Sequence, residues 1–175
     1  MQSSATSGAA QAATPAQLAA QLSVVDTEVA RLAALPGALL PILHAIQEQL
    51  GFVPPAAIDR IATALNLSRA EVHGVITFYH DFRTAPPGGT VLKLCRAEAC
   101  QAMGCQRLEQ RLHEVHGVAM GATSADGSLT VEAVYCLGNC ALSPSALVDG
   151  KLLGRLDAAR LDAIVAQARA KAGRS

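Results

Sequence analysis

The sequence predicts an α+β chain, with a helical bundle followed by a small open sheet that carries helices on it. Three observations lead there. Through the first half, the larger apolar residues recur at steps of three and four, the period of a helix with one buried stripe. After "TAPPGG", Thr84–Gly89, the period shortens and aliphatic runs a few residues long take over. Near the end, Asp149-Gly150 separates two such runs, a strong hairpin signal. The chain has 175 residues, about half of them hydrophobic, which allows one large domain or two small ones. The expected division is a flexible tail over residues 1–15, a helical bundle over 16–85 and a sheet domain over 86–175.

The first helix is expected from Pro15 to Leu35, with Leu18, Leu22, Val25, Val29 and Leu32 on its inner face, until Pro36-Gly37 stops it. "LLPILHAIQEQLG" repeats the period through Leu39, Leu43, Ile46 and Leu50, and Gly51 is a natural C-terminal stop. Pro54-Pro55 opens a third helix with Ile58, Ile61, Ala62 and Leu65 inward. Ser68 followed by Glu71 is a capping box, and the helix it opens carries Val72, Val75, Ile76 and Tyr79. After the hinge, "TVLKLC" reads as a strand. "CQRLEQRLHEVHG" reads as a helix with Leu108, Leu112 and Val115 inward and Gly117 at its end. "LTVEAVYC" is a strand, "SALVDGKLLGRL" a pair of strands, and "DAARLDAIVAQARAK" a closing helix. The order β-α-β-β-β-α is compatible with a thioredoxin-like layout. No internal repeat is present.

Composition removes several function classes. Acidic and basic residues balance at 14 each. Residues 1–84 carry 4 basic and 6 acidic side chains, and residues 85–175 carry 10 and 8. Neither half is basic enough for a nucleic-acid footprint or for attraction to an anionic membrane. The first 25 residues carry no charged side chain, which argues against a secretory signal or transit peptide. No run of about 18 apolar residues suggests a membrane span. A cytoplasmic protein is expected, and in that compartment thiols are metal or redox material before they are disulfides.

All five cysteines fall in two stretches. "CRAEACQAMGC" holds Cys95, Cys100 and Cys105, and "YCLGNC" holds Cys136 and Cys140. Cys95 and Cys136 each close a predicted strand, and Cys100 and Cys140 follow through short loops. The pattern C-x4-C and C-x3-C offers two thiolates from each of two loops, which suits a [2Fe–2S] cluster. Zinc also accepts four thiolates, although C-x2-C knuckles are its commoner form. A thioredoxin-type dithiol needs C-x-x-C, which is absent. On spacing alone, iron–sulfur and zinc both stand, the latter as a zinc-stabilised structural interaction module.

"GVITFYHDFR" (Gly74–Arg83), the pair Cys95/Cys100 and "CLGNCALSPSALVDG" (Cys136–Gly150) together resemble the thioredoxin-like [2Fe–2S] ferredoxin family. That family includes the 24-kDa-type subunit of respiratory NADH dehydrogenase (complex I). It also includes the small subunit of NAD-linked hydrogenases and the gamma subunit of soluble NAD-dependent formate dehydrogenase. The resemblance runs from about Leu40 to the end and takes in the helical bundle. It implies one [2Fe–2S] cluster on Cys95, Cys100, Cys136 and Cys140. It further implies a non-catalytic electron-transfer subunit beside an FMN- and NAD-binding flavoprotein, linked through it to larger iron–sulfur and molybdenum-containing subunits. "CRAEACQAMGC" after "FYHDFRTAPPGG" most resembles the formate dehydrogenase gamma subunit, so formate oxidation coupled to NAD reduction is the expected reaction of the whole. The corresponding small subunit of NADH-quinone oxidoreductase or of an NAD-linked hydrogenase is the alternative.

Cys105 repeats the x4 spacing from Cys100 and is expected as a free thiol in the first turn of the next helix. That helix should point its positive end at the thiols, and Arg96 should add positive charge. His113 and His116 are expected to serve the helix end rather than a metal. His44, His73 and His80 have no acid or nucleophile at a telling spacing. "FYHDF" is either core filling or a contact surface. No phosphate-binding loop, dinucleotide motif or catalytic triad is present.

Overall fold

A computed structural model describes residues 13–174. The chain divides into two compact units, the first ending at Pro86 and the second starting at Pro87. Most of the stretch expected as a flexible tail, residues 1–12, lies outside the described residues. The rest of it, Ala13–Pro15, already belongs to the first helix or its cap: Thr14 accepts from the backbone of Gln17, and Pro15 is the first helical residue.

The first unit consists of α1 (Pro15–Leu32), α2 (Leu39–Leu50), α3 (Ala57–Leu65) and α4 (Arg69–Phe78). The capping box forms at Ser68 and Glu71, with the serine side chain accepting from the Glu71 N–H. Gly51 ends α2 at φ +81, a left-handed value open to glycine because it has no Cβ. The core is aliphatic: Val25, Ile42, Leu43, Ile46, Val53, Ile61 and Val72 are all at 0–1 % exposure. Leu18, expected inward, is 37 % exposed, because α1 overhangs its neighbours at its N-terminal end. An unexpected member of the buried stripe is Glu28. Its carboxylate accepts from the Arg31 guanidinium and from the Gln49 amide of α2, and those partners satisfy a charge whose burial would otherwise be costly. Gln47 does similar work at the end of the unit. Its amide donates to the carbonyl of Asp81 and its oxygen accepts from the N–H of Arg83, both at 2.7 Å. "FYHDFR" is thereby stitched to α2. Phe82 is buried with its ring 5.0 Å from that of His44, whereas Phe78 and Tyr79 are 73 % and 44 % exposed.

The second unit contains β1 (Thr90–Cys95), α5 (Glu98–Ala102), α6 (Cys105–Glu114), β2 (Leu129–Val134), β3 (Ala146–Val148), β4 (Lys151–Leu153) and α7 (Ala158–Ala172). The four strands form one sheet in the order β2-β1-β3-β4. β1 and β2 are parallel, with Cys95 opposite Val134, and the remaining pairs are antiparallel. The β3–β4 turn is Asp149-Gly150, with φ +47 and +80, as its sequence predicts. Outside β2, the backbone of Gly121–Ser124 bonds to Leu129 and Val131 and pairs Thr123 with Thr130. Leu92, Leu94, Leu129, Val131, Leu112, Leu161 and Val165 fill the core between sheet and helices.

Two expectations need correction. The segment between Cys95 and Cys100 is not a plain loop, since Cys100 sits in the five-residue helix α5. A turn this short has no apolar period to reveal it. Val115 is 58 % exposed rather than inward, because α6 ends at Glu114 and the helical register no longer applies. His116 lies beyond that end and shares a hydrogen bond with Asp162 of α7, 2.8 Å away, where Arg111 of α6 also makes two bonds. This junction ties α6 to α7 and holds the Asp162 carboxyl well below the usual range, first through the Arg111 hydrogen bond and then through His116.

An aspartate with a depressed folded pKa contributes stability above its unfolded pKa, near 3.9, and loses that contribution as pH falls through the folded value. Asp162→Asn should therefore lower Tm at pH 5–7, and the gap from the parent protein should close as pH falls below about 4. Thermal melts of both proteins across that window check this, and a constant gap would remove the carboxylate as its source.

Candidate metal centre

The parallel pairing of β1 with β2 sends both strands out at the same edge of the sheet. Cys95 is the last residue of β1, and Cys136 lies two residues beyond β2. The N–H of Arg96 donates to the carbonyl of Val134 at 2.8 Å, stitching the two exits together, and that of Cys95 donates to the carbonyl of Ser145, just before β3, at 3.0 Å. Past β2 the chain turns sharply. Cys136 takes φ +75 and Gly138 φ +72, and the turn carries Cys140 back until its sulfur is 3.8 Å from that of Cys136. Cys140 opens a short 3-10 turn, Cys140–Leu142.

The four thiols occupy one neighbourhood. Burial opposes ionisation of Cys95, but the N–H of Ala97, the Cys100 thiol and the N–H groups of Cys136 and Leu137 outweigh it and hold the Cys95 thiol below its ordinary value. Hydrogen bonding with Cys136 and then its charge push the Cys140 thiol up, and the charges of Cys100 and Cys95 add to the effect. Mutual repulsion of this kind is what a bound cation relieves. Cys95 and Cys100 are buried, whereas Cys136 and Cys140 are exposed.

Cys105 begins α6 and packs, fully buried, against Cys95 and Cys100. Burial first, and then the charges of Cys100 and Cys95, raise its pKa. Arg96, expected to add positive charge, is 3.1 Å from a Glu109 carboxylate oxygen that offsets it.

Among the described residues, no group of three or more His, Cys, Asp or Glu side chains converges on a point that a single metal ion could occupy. Tetrahedral zinc draws four ligands to one centre. A binuclear cluster asks instead for thiols in pairs, with N–H groups free to face sulfur. The residues present fit that request: one pair of thiols across the β1–α5 junction, one pair in the turn after β2, and the amides of Cys136 and Leu137 bonded to Cys95.

A sheet flanked by helices and edged by paired cysteines suits an iron–sulfur centre. Residues 25–169 match the thioredoxin-like [2Fe-2S] ferredoxin family; the chain belongs to that family, whose cofactor is one [2Fe–2S] cluster. It is 34 % identical to an NADH-quinone oxidoreductase subunit of Rhizobium meliloti, over 83 % of this chain and 87 % of that one. It is 28 % identical to the HndA subunit of the NADP-reducing hydrogenase of Solidesulfovibrio fructosivorans, over 75 % and 77 %. The crystal structure of an NAD+-reducing [NiFe]-hydrogenase in the air-oxidised state aligns at 30 % identity and a TM-score of 0.66, over 81 % of this chain. The alignment spans 24 % of that hydrogenase chain. Among the described residues, no helix is long and apolar enough to cross a membrane.

Gly154 of the segment after β4 is a site residue that spacing could not reveal. A Cβ there would lie 2.6 Å from the Leu142 Cβ, 2.7 Å from the Asn139 side-chain nitrogen and 2.9 Å from the Leu142 carbonyl. Both neighbours flank Cys140. Gly88, at the other end of β1, is equally tight, with a Cβ position 2.8 Å from the Gly127 carbonyl. Gly154→Ala and Gly88→Ala should each destabilise by about 1–3 kcal/mol through overpacking, but only Gly154→Ala should lower iron bound per chain. Equal iron content in the two variants would show that the Cys140 turn tolerates the displacement.

Proposed function

We propose that this chain is an electron-transfer subunit of an NAD(H)-linked oxidoreductase complex, of the NADH-quinone oxidoreductase or NAD-reducing hydrogenase kind. Cys95, Cys100, Cys136 and Cys140 would hold its [2Fe–2S] cluster, and Cys105 would stand outside the ligand set. The observation that carries the reading is the division of the thiols: one buried pair anchors the site and one exposed pair opens it to a partner. When bound, the cluster accepts and releases one electron at a time.

The protein's own residues would fix where that exchange occurs. Cys95 and Cys100 keep water from the inner side. Cys136 and Cys140 face outward between Tyr135, 70 % exposed, and Leu142, 39 % exposed, an apolar rim of the kind found at interface centres. The partner would be an FMN- and NAD-binding flavoprotein subunit, and the chain would work on the cytoplasmic side of the complex. Residues 16–85 would dock to that partner. The exposed pair Phe78 and Tyr79, in edge-to-face contact at 5.0 Å, supports this, since such aromatics are enriched among binding hot spots.

Replacing each cysteine by serine in turn and measuring iron per chain tests the ligand set. Each of the four changes should reduce iron content, and Cys105→Ser should retain it. Loss with Cys105→Ser but not with Cys95→Ser would move the register to Cys100/Cys105. A chain beginning at Pro86 should still bind iron yet fail to co-purify with the flavoprotein; unchanged assembly would sink the docking role.

Formate dehydrogenase is the second reading, favoured by "CRAEACQAMGC" following "FYHDFRTAPPGG". A complex purified through this chain should reduce an artificial acceptor with NADH. Formate-dependent NAD reduction by the same complex would turn the assignment to formate dehydrogenase.

A further inference from the structure

Ser143 lies where the two cysteine loops meet. It is buried, at 8 % exposure, three residues beyond Cys140. Its hydroxyl donates to the Cys140 carbonyl at 2.7 Å. On its other side the Cys100 thiol lies 3.7 Å from the Ser143 oxygen and is the donor there. Ser143 therefore bridges the inner thiol pair to the outer loop.

We propose that Ser143 is a positioning and tuning residue that donates a hydrogen bond to the Cys100 sulfur when the cluster is bound. This rests on Cys100 being a ligand, as proposed above. A ligating cysteine has given up its proton, so the Cys100–Ser143 contact seen with the thiol loses its donor. The serine oxygen is then left facing a sulfur anion across a water-poor gap. A hydroxyl can supply the missing proton by rotating about its C–O bond. A hydrogen bond gains strength when its acceptor carries negative charge, and rotation from the Cys140 carbonyl to the Cys100 sulfur supplies such a bond. The carbonyl that the hydroxyl leaves still accepts from the Ser143 N–H at 3.3 Å.

The hydroxyl does more than fill a gap. One electron added to the cluster, with no atom gained or lost, increases the negative charge on its sulfurs. A hydrogen bond to a ligand sulfur strengthens with that charge and favours the reduced form. Ser143 thus raises the reduction potential. The backbone N–H groups near Cys95 act in the same sense, but they come with the fold, whereas the serine hydroxyl is set by one residue.

The test is a dithionite titration of the loaded full chain with redox mediators. Ser143→Ala should shift the potential negative, and Ser143→Thr, which keeps the hydroxyl, should restore most of the shift. An unshifted Ser143→Ala, or a Thr variant that matches Ala, overturns the proposal. Should Ser143→Ala hold no iron, the native protein still decides. Brief exposure to D2O exchanges hydroxyls before buried amides, and the Fe–S(Cys) stretch in the resonance Raman spectrum should then move; an unmoved stretch overturns the proposal whatever the variants do. Cys100→Ser separates this from the ligand reading. Full iron in Cys100→Ser refutes Cys100 as ligand, whereas iron loss there with an unshifted Ser143→Ala refutes the serine alone.

Discussion

The parallel pairing of β1 with β2 is the constraint on which the second unit depends. A parallel pair cannot be closed by a tight turn and needs a long crossover. Here the crossover is supplied by α5, α6 and the segment that follows them. In return, both strands point the same way, and their C-terminal ends share one edge. Cys95 and the turn at Cys136 meet there for that reason alone. A one-residue slip of β1 would turn Cys95 to the other face of the sheet, and the four thiols would no longer share a neighbourhood. The Arg96–Val134 and Cys95–Ser145 backbone bonds pin the register at the point where it matters.

Much of this is legible in the sequence, for reasons that differ by element. The capping box at Ser68, the stop at Gly51 and the turn at Asp149-Gly150 are local chemistry, and local chemistry survives folding. The strand ends at Cys95 and near Cys136 follow from composition and period. What stays hidden depends on contacts between residues distant in the chain. Asp162 gives no hint that Arg111 and His116 converge on it. Glu28 falls on the inner face of α1 at a spacing that would suit an apolar residue, and Gln49, from another helix, joins Arg31 in making its burial tolerable. Gly154 and Ser143 look like ordinary turn residues until the Cys140 loop is packed against them. The helix α5 escapes a reading by period because one turn and a half carries too few residues to show one.

The electrostatics of the site follow from the same geometry. Several potential anions are gathered where burial already disfavours charge, and the chain offsets this unevenly. Cys95 gains the amide donors of Ala97, Cys136 and Leu137, the last two from a turn that is left-handed at Cys136 and Gly138. Cys140, on the open side, is pushed up by its hydrogen bond with Cys136 and by that neighbour's charge. Cys105 sits deeper still, at the start of α6, but its nearest influences are two other sulfurs. The arrangement is thus graded from a buried, donor-rich side to an exposed, repulsive one, and a cationic centre bound between the loops would answer the repulsion.

The ends of the sheet carry a further consequence. An open sheet offers unpaired backbone groups on its outer strands, which can recruit strands from other chains. Here β4 has only three residues and begins with Lys151, so it is a poor template. On the other side, the backbone of Gly121–Ser124 already occupies bonding positions along β2. Neither edge readily admits a further strand, the β4 side because it is short and the β2 side because Leu129–Val131 are already bonded. For a protein that must pass through a cluster-free form during its making, with thiols unligated and repelling one another, that protection narrows the most direct route from a loosened edge to an amyloid-like stack.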